Sequence, residues 1–152
     1  MKKNTIIFDL DGTLALVNKR RELAAKPNGK IDWDIFTDPE NIWLDEPDEP
    51  TIMIARLFAD AGFNILIFSG RSNKTELTTR EWLAKHEVPF HKLIMRDEKT
   101  RKFIGDEILK KEMLDNHANI NDIFLVVDDR QKVVDMWREN GLKVFQADKG
   151  DF

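Results

Sequence analysis

The segment Thr5-Ile6-Ile7-Phe8-Asp9-Leu10-Asp11-Gly12-Thr13 passes from a short apolar, β-branched and aromatic run to two acids and a glycine. The run Thr5–Phe8 reads as a buried strand close to the start of the chain. Where it stops, two carboxylates stand one residue apart. Like charges that close raise each other's pKa unless a cation lies between them. Mg²⁺ is the common cation for oxygen ligands of this kind. Gly12 allows a sharp turn and Thr13 adds a hydroxyl. A strand end of this make-up points to a bound metal and to phosphate chemistry.

Outward from this segment, four more apolar runs read as strands, at about Asn64–Phe68, Lys92–Met95, Ile123–Val127 and Lys143–Gln146. Between them lie helix-like stretches. Thr51–Ala61 follows Pro50 and stops at Gly62. Asn73–His86 opens on an Asn-x-x-Glu capping pattern, Asn73 with Glu76. Phe103–His117 carries a loose apolar stripe, and Gln131–Asn140 stops at Gly141. This alternation predicts an α/β fold, a doubly wound and mainly parallel sheet with helices on both faces. In such sheets ligands gather beyond the carboxyl ends of the strands. The residues expected to converge are therefore Asp9 and Asp11, then Ser69, Gly70 and Arg71, then Arg96, then Asp128 and Asp129.

The exception to the alternation is an insert at about 15–50, charged and broken by Pro27, Pro39, Pro47 and Pro50. A short helix is expected near Lys19–Ala25. Trp33, Ile35, Phe36, Ile42 and Trp43 are too many large apolar groups for a free linker, so they are expected to pack over the sheet edge or the site mouth. Packing is also the expected use of Trp33 and Trp43, although either ring suits stacking on a base or sugar. Trp82 and Trp137 fall on helices and belong in the core. His86, His91 and His117 show no metal-ligand spacing.

With 152 residues the chain is expected to be a single domain over 1–152. No apolar run is long enough to span a bilayer, so no membrane association is expected. The sequence has no cysteine, which excludes disulfides and thiolate metal sites. With no secretory h-region visible, a cytoplasmic location is expected. A net charge of −4 excludes a wholesale basic nucleic-acid binder, so any polyanion must meet a local patch.

Phe8-Asp9-Leu10-Asp11-Gly12-Thr13-Leu14 resembles the first motif of the haloacid dehalogenase superfamily of phosphotransferases, with Ser69, Lys110 and Asp128-Asp129 matching the second, third and fourth in order. A narrower resemblance is to the 3′-phosphatase domain of phage-type polynucleotide kinase/phosphatase. It rests on Asp128-Asp129-Arg130-Gln131 with Val133, Val134, Met136, Trp137 and Arg138, on Ser69-Gly70-Arg71, Arg20, Arg96, Thr100-Arg101-Lys102, Asp106 and Lys110, and on the ending Gly150-Asp151-Phe152. No Gly-x-x-x-x-Gly-Lys-Ser/Thr kinase loop is present, and the insert is longer than this branch leads one to expect.

The resemblance implies a Rossmann-like domain without a large cap and a Mg²⁺-dependent phosphomonoesterase working through an aspartyl-phosphate. Asp9 is the expected nucleophile and a metal ligand. Asp11 is the expected proton donor and acceptor, with its backbone carbonyl on the metal by resemblance. Asp128 and Asp129, adjacent at a strand end, point apart; by resemblance Asp129 ligates directly and Asp128 stands behind it. The pair can also serve as an N-cap before Gln131. Ser69 and Lys110 are expected to hold phosphoryl oxygens, and Asp106, four residues before Lys110, to orient its ammonium. Arg20, Arg71 and Arg96, with Gly70, are expected around the scissile phosphate or a neighbouring phosphodiester. The implied substrate is a 3′-phosphate on a DNA or RNA end. A small-molecule phosphatase for nucleotides or sugar phosphates is the alternative, and a non-catalytic module of the same fold is a third. A separate kinase partner and the oligomeric state are left open.

Overall fold

The structure, a computed structural model, describes residues 2–150. Five strands, β1 (Thr5–Phe8), β4 (Asn64–Ser72), β5 (Lys92–Arg96), β6 (Ile123–Asp128) and β7 (Val144–Gln146), form one sheet in the order β5-β4-β1-β6-β7. Every neighbouring pair in it is parallel. β1 is central and buried along its whole length.

The period-two alternation of strand side chains divides the core in two. Ile6 and Phe8 of β1, Ile65 and Ile67 of β4, and Leu125 and Val127 of β6 face one side. Ile7, Leu66, Phe68 and Val126 face the other. Helices α3 (Glu49–Asp60) and α4 (Glu76–Lys85) cover the first face through Ile52, Ala55, Trp82 and Leu83. Helices α5 (Asp106–His117) and α6 (Gln131–Glu139) cover the second through Leu109, Met113, Val134 and Trp137. The sheet is thus doubly wound as the alternation predicts, and the described residues form no large cap domain. No helix among the described residues is long and apolar enough to cross a membrane.

The insert is ordered by its acids. Asp32 caps α2 (Trp33–Phe36), Asp38 caps a 3-10 turn over Pro39–Leu44, and Asp48 caps α3, each side chain accepting hydrogen bonds from backbone N–H groups of the first turn. Helix α1 (Asn18–Ala24) matches the expected short helix. A small antiparallel pair, β2 (Ala15–Leu16) with β3 (Glu46–Pro47), closes the insert at its base. Ile42 and Phe36 are buried, whereas Trp33 and Trp43 are 64% and 40% exposed, so the expected packing holds for only part of this apolar set.

Helix α3 starts two residues earlier than expected, at Glu49 with Pro50 in its first turn, and two helix starts fall later than the sequence expectation. The helix after β4 begins at Glu76, because Ser72 caps a 3-10 turn over Asn73–Thr75 while Asn73 Oδ1 accepts from the Glu98 amide. Helix α5 begins at Asp106, because Arg96 takes the carbonyls of Arg101 and Ile104 and holds that stretch as a loop.

Candidate active site

Asp9 extends β1 by one more sheet bond, its amide donating to Val127 O at 2.9 Å. The chain then reverses through Gly12, whose φ of +82° is open to glycine without strain. This places the Asp9 carboxyl beside the end of β6. Lys110 of α5 donates to Asp9 Oδ1 at 2.7 Å and to Asp128 Oδ2 at 2.9 Å. Thr13 Oγ1 donates to Asp9 Oδ2 at 3.0 Å and approaches Asp129 Oδ1 at 3.3 Å. One oxygen from each of Asp9, Asp128 and Asp129 lies within 4.8 Å of the others.

Three buried carboxylates face one ammonium, and the pKa shifts follow. Burial pushes Asp9 up to about 8 against the pull of Lys110, with Asp129 adding to the rise. Burial and the Asp9 charge push Asp128 up to about 6, and burial raises Asp129. Lys110 is raised as well, since Asp128 and Asp9 outweigh its desolvation. The two acids at the end of β6 differ in what they touch. Asp128 Oδ2 accepts from Lys110 and from Trp137 Nε1, and its Oδ1 accepts from the Asp129 amide. Asp129 Oδ2 is buried with no donor against it. Hard oxygen donors, two surplus negative charges and one orphaned oxygen fit a divalent cation. Neither acid caps α6; its N-cap residue is Arg130, without a side-chain bond.

Asp11 lies in a second charge cluster. Burial would raise its carboxyl, but the Arg71 and Arg20 guanidiniums overcome this and hold it below the usual carboxylate range. Arg71 Nε donates to Asp11 Oδ1 at 2.7 Å, and Arg20 Nη2 does so at 3.2 Å. Both arginines also bind Asp45, which ends the 3-10 turn of the insert. Arg20 reaches it through Nε at 3.0 Å and Nη2 at 2.9 Å, and Arg71 through Nη2 at 2.7 Å. Arg20 further donates to Phe36 O, and Arg71 to Thr79 Oγ1. Both were expected at a phosphate. In the structure both are buried against Asp11 and Asp45 at the lining of the cleft, and the side chain they orient is Asp11.

Arg96 also differs from the expectation. Its donors go to Gly70 O, Arg101 O, Ile104 O and Asp106 Oδ1 at 2.5–2.9 Å, so it fastens the loop before α5 to the end of β4. Asp106 accepts from Arg96 and Arg130; the hydrogen-bond partners of Lys110 are Asp9 and Asp128 instead. Gly70 makes this approach possible, since a Cβ there would stand 2.8 Å from Asp106 Oδ1. Ser69 is buried, and its Oγ accepts from the Arg71 amide.

Asp9, Asp11, Arg71, Lys110, Asp128 and Asp129 sit at the floor of a cleft of about 580 Å³. One wall is the insert, with Arg20, Ile31, Trp33 and Phe36; another is the loop from Lys102 to Asp106. The insert therefore folds beside the site. Sequence reasoning missed Asp45 and the orienting roles of Thr13 and Trp137. Asp45 is one acid among several in a Pro-rich stretch and carries no local signal. The available clue was charge balance, since two buried arginines need more than Asp11. Of the C-terminal signature, Gly150 passes against the backbone of Asp129 and Arg130; Asp151 and Phe152 lie outside the described residues.

The sequence profile of the family described as "Polynucleotide kinase PNKP phosphatase domain" matches residues 3–152. A protein of Autographa californica nuclear polyhedrosis virus, named as a bifunctional polynucleotide kinase/RNA ligase, is 32% identical over 139 residues, which is 88% of this chain and 18% of that protein. A chain in the structure of a Pnkp1/Rnl/Hen1 complex superimposes with a TM-score of 0.80 at 32% identity, covering 99% of this chain and 48% of that one. A phosphatase fold from Clostridium acetobutylicum superimposes with a TM-score of 0.71 at 14% identity, covering 96% and 85%, a likeness of fold alone. The chain spans less than half the length of the first two relatives. With the four strand-end motifs assembled in one cleft, the chain belongs to the polynucleotide kinase PNKP phosphatase domain family, a branch of the haloacid dehalogenase-type phosphatases.

Proposed function

We propose that the chain is a Mg²⁺-dependent phosphomonoesterase that removes the 3′-phosphate from polynucleotide ends through an aspartyl-phosphate on Asp9. The observation that carries this reading is the setting of Asp9, a carboxyl at the floor of an open cleft between the Lys110 ammonium and an Asp129 with an unpartnered oxygen. Mg²⁺ would be held by Asp9, Asp129 and, as the resemblance implies, the Asp11 carbonyl, and would supply positive charge to the phosphoryl oxygens. Asp128 stands behind, holding Lys110 in place. The Asp9 oxygen bonds to phosphorus as the ester P–O bond breaks, and the departing 3′-oxygen takes a proton from Asp11, which Arg71 and Arg20 keep ionised in the free site and which must gain that proton as the negatively charged substrate arrives beside it. A water then attacks the aspartyl-phosphate, gives its proton to Asp11, and releases Asp9 and inorganic phosphate. In this reading Lys110 and the Ser69 hydroxyl meet the charge that collects on the equatorial oxygens.

The nucleic-acid substrate is supported by the family match and by relatives named for polynucleotide kinase and RNA repair. A separate or covalently linked kinase and ligase are the partners this reading suggests, and the cysteine-free composition suits a cytoplasmic setting. The test compares a 3′-phosphorylated RNA and DNA oligonucleotide with 3′-nucleoside monophosphates, with and without Mg²⁺. Metal-dependent release of phosphate is expected, faster from the oligonucleotides, and absent in Asp9→Asn. A clear preference for monomers would transfer the chemistry to a small-molecule substrate; retained turnover in Asp9→Asn would remove the nucleophile.

A further inference from the structure

The cleft that holds Asp9 has two aromatic rings at its mouth that stand mostly in solvent. Trp33 is 64% exposed and Phe103 is 94% exposed, and both line the same cleft. They come from separate parts of the chain, Trp33 from the first turn of α2 in the insert and Phe103 from the loop between β5 and α5. Ring surface left in water adds nothing to folding, and single exposed apolar residues are common. Two rings at the rim of one polar catalytic cleft are a different arrangement.

Both rings stand on fixed supports. Helix α2 is capped by Asp32, and Trp33 meets Phe36 edge-on at 5.6 Å, while the Phe36 ring lies under the Arg20 guanidinium at 4.2 Å. A T-shaped contact engages at most one face of the indole. Phe103 lies between Arg101 and Ile104, whose carbonyls are both tied by Arg96. The rim also carries Lys74 and Lys102, in a molecule whose net charge is −4. A volume of about 580 Å³ exceeds the need of a phosphate and suits a ligand of nucleoside size.

We propose that Trp33 and Phe103 form a stacking subsite for the bases of the last two nucleotides of an unpaired polynucleotide end, with Lys74 and Lys102 beside its phosphodiesters. The inference rests on the proposed function and adds the form of the substrate that the site takes. Stacking accepts every base, because each has a π face, and it requires that those bases be free of a partner strand. An unpaired 3′ end is therefore the preferred substrate, and a blunt duplex end a poor one.

The test is a cycle between ring and base. Steady-state kcat/KM is measured on a single-stranded 3′-phosphorylated oligonucleotide and on the same strand with its last two nucleotides abasic. The proteins are wild type, Trp33→Ala, Trp33→Phe and Phe103→Ala. Both side chains are largely solvated, so melting temperatures are expected to match wild type. In wild type, removal of the bases lowers kcat/KM by roughly five- to a hundred-fold, mostly through KM. Trp33→Ala and Phe103→Ala each lose activity on the natural strand and then show only the smaller base effect that the remaining ring supplies, while Trp33→Phe keeps most of the wild-type effect. Turnover with independent, multiplicative losses overturns the subsite alone. No turnover of either oligonucleotide by wild type, with an aryl phosphate still hydrolysed, overturns the polynucleotide reading and the subsite with it.

Discussion

Asp129 Oδ2 is buried with no donor against it, and next to it Asp9 and Asp128 share a single lysine. Such a site is unfavourable until a cation arrives. Asp129→Asn removes one surplus charge, so it is expected to raise the melting temperature of the metal-free protein while lowering Mg²⁺-dependent turnover by about a hundred-fold or more. Calorimetry and phosphate release, each with and without Mg²⁺, read the two effects; a lower melting temperature without metal would contradict the charge argument. The shifts also set a pH dependence. Asp9, at about 8, and Asp128, at about 6, keep protons in the folded state that the unfolded chain releases from the ordinary value of 3.8 upward. The folded state therefore loses stability as pH rises from about 4 to about 8. Lys110 is raised, and its contribution is constant below its ordinary 10.5, so it does not offset this trend. Mg²⁺ competes with protons for the same oxygens, so the gain in melting temperature on adding Mg²⁺ is expected to be larger at pH 8 than at pH 6. Equal gains at the two values would mean that these carboxyls do not hold the ion.

At the level of elements, the insert and the end of β4 are joined through Asp45. Its two oxygens take three guanidinium hydrogen bonds from Arg20 and Arg71, and its carbonyl accepts from Trp82 Nε1 of α4 at 3.0 Å. This one residue ties α1, the 3-10 turn, β4 and α4 together around Asp11. Asp45→Ala leaves two buried guanidiniums with Asp11 as their remaining acid, and removal of one partner from a buried ion pair costs about 3–5 kcal/mol. A drop of that size is expected in urea unfolding. Turnover is expected to fall further on alkyl phosphates, whose leaving group needs the Asp11 proton, than on aryl phosphates, whose leaving group does not. An equal fall on both would make Asp45 a support for the fold alone.

For the molecule as a whole, the net charge of −4 and the short supply of rim cations limit how strongly a polyanion can be held. If Lys74 and Lys102 are the phosphodiester contacts, roughly two counterions leave a single strand on binding, and log KM is expected to rise with log salt at a slope of about 1.4. A slope of four or more would require a larger basic surface than the rim provides. Under the proposed function, recognition would then come mainly from the phosphate site and the rim rings.

The apolar run Thr5–Phe8, the alternation behind it and the polar residues that end four strands were enough to establish a doubly wound parallel sheet and the position of Asp9, Asp11, Ser69, Asp128 and Asp129, while Lys110, on a helix, was singled out by the family resemblance alone. These features are local, because strand and helix periods and strand-end motifs are written within a few residues of each other. What Arg20, Arg71 and Arg96 bind was decided only in the folded chain. A guanidinium satisfies phosphate and carboxylate alike, and its partner depends on which acid the fold brings within 3 Å. Asp45 reaches Arg71 across 26 positions and Asp106 reaches Arg130 across 24, separations that no local pattern records. The start of α5 is a nearer case: the apolar residues Phe103 and Ile104 suit a helix, but Arg96, at the end of β5, takes the carbonyls of Arg101 and Ile104.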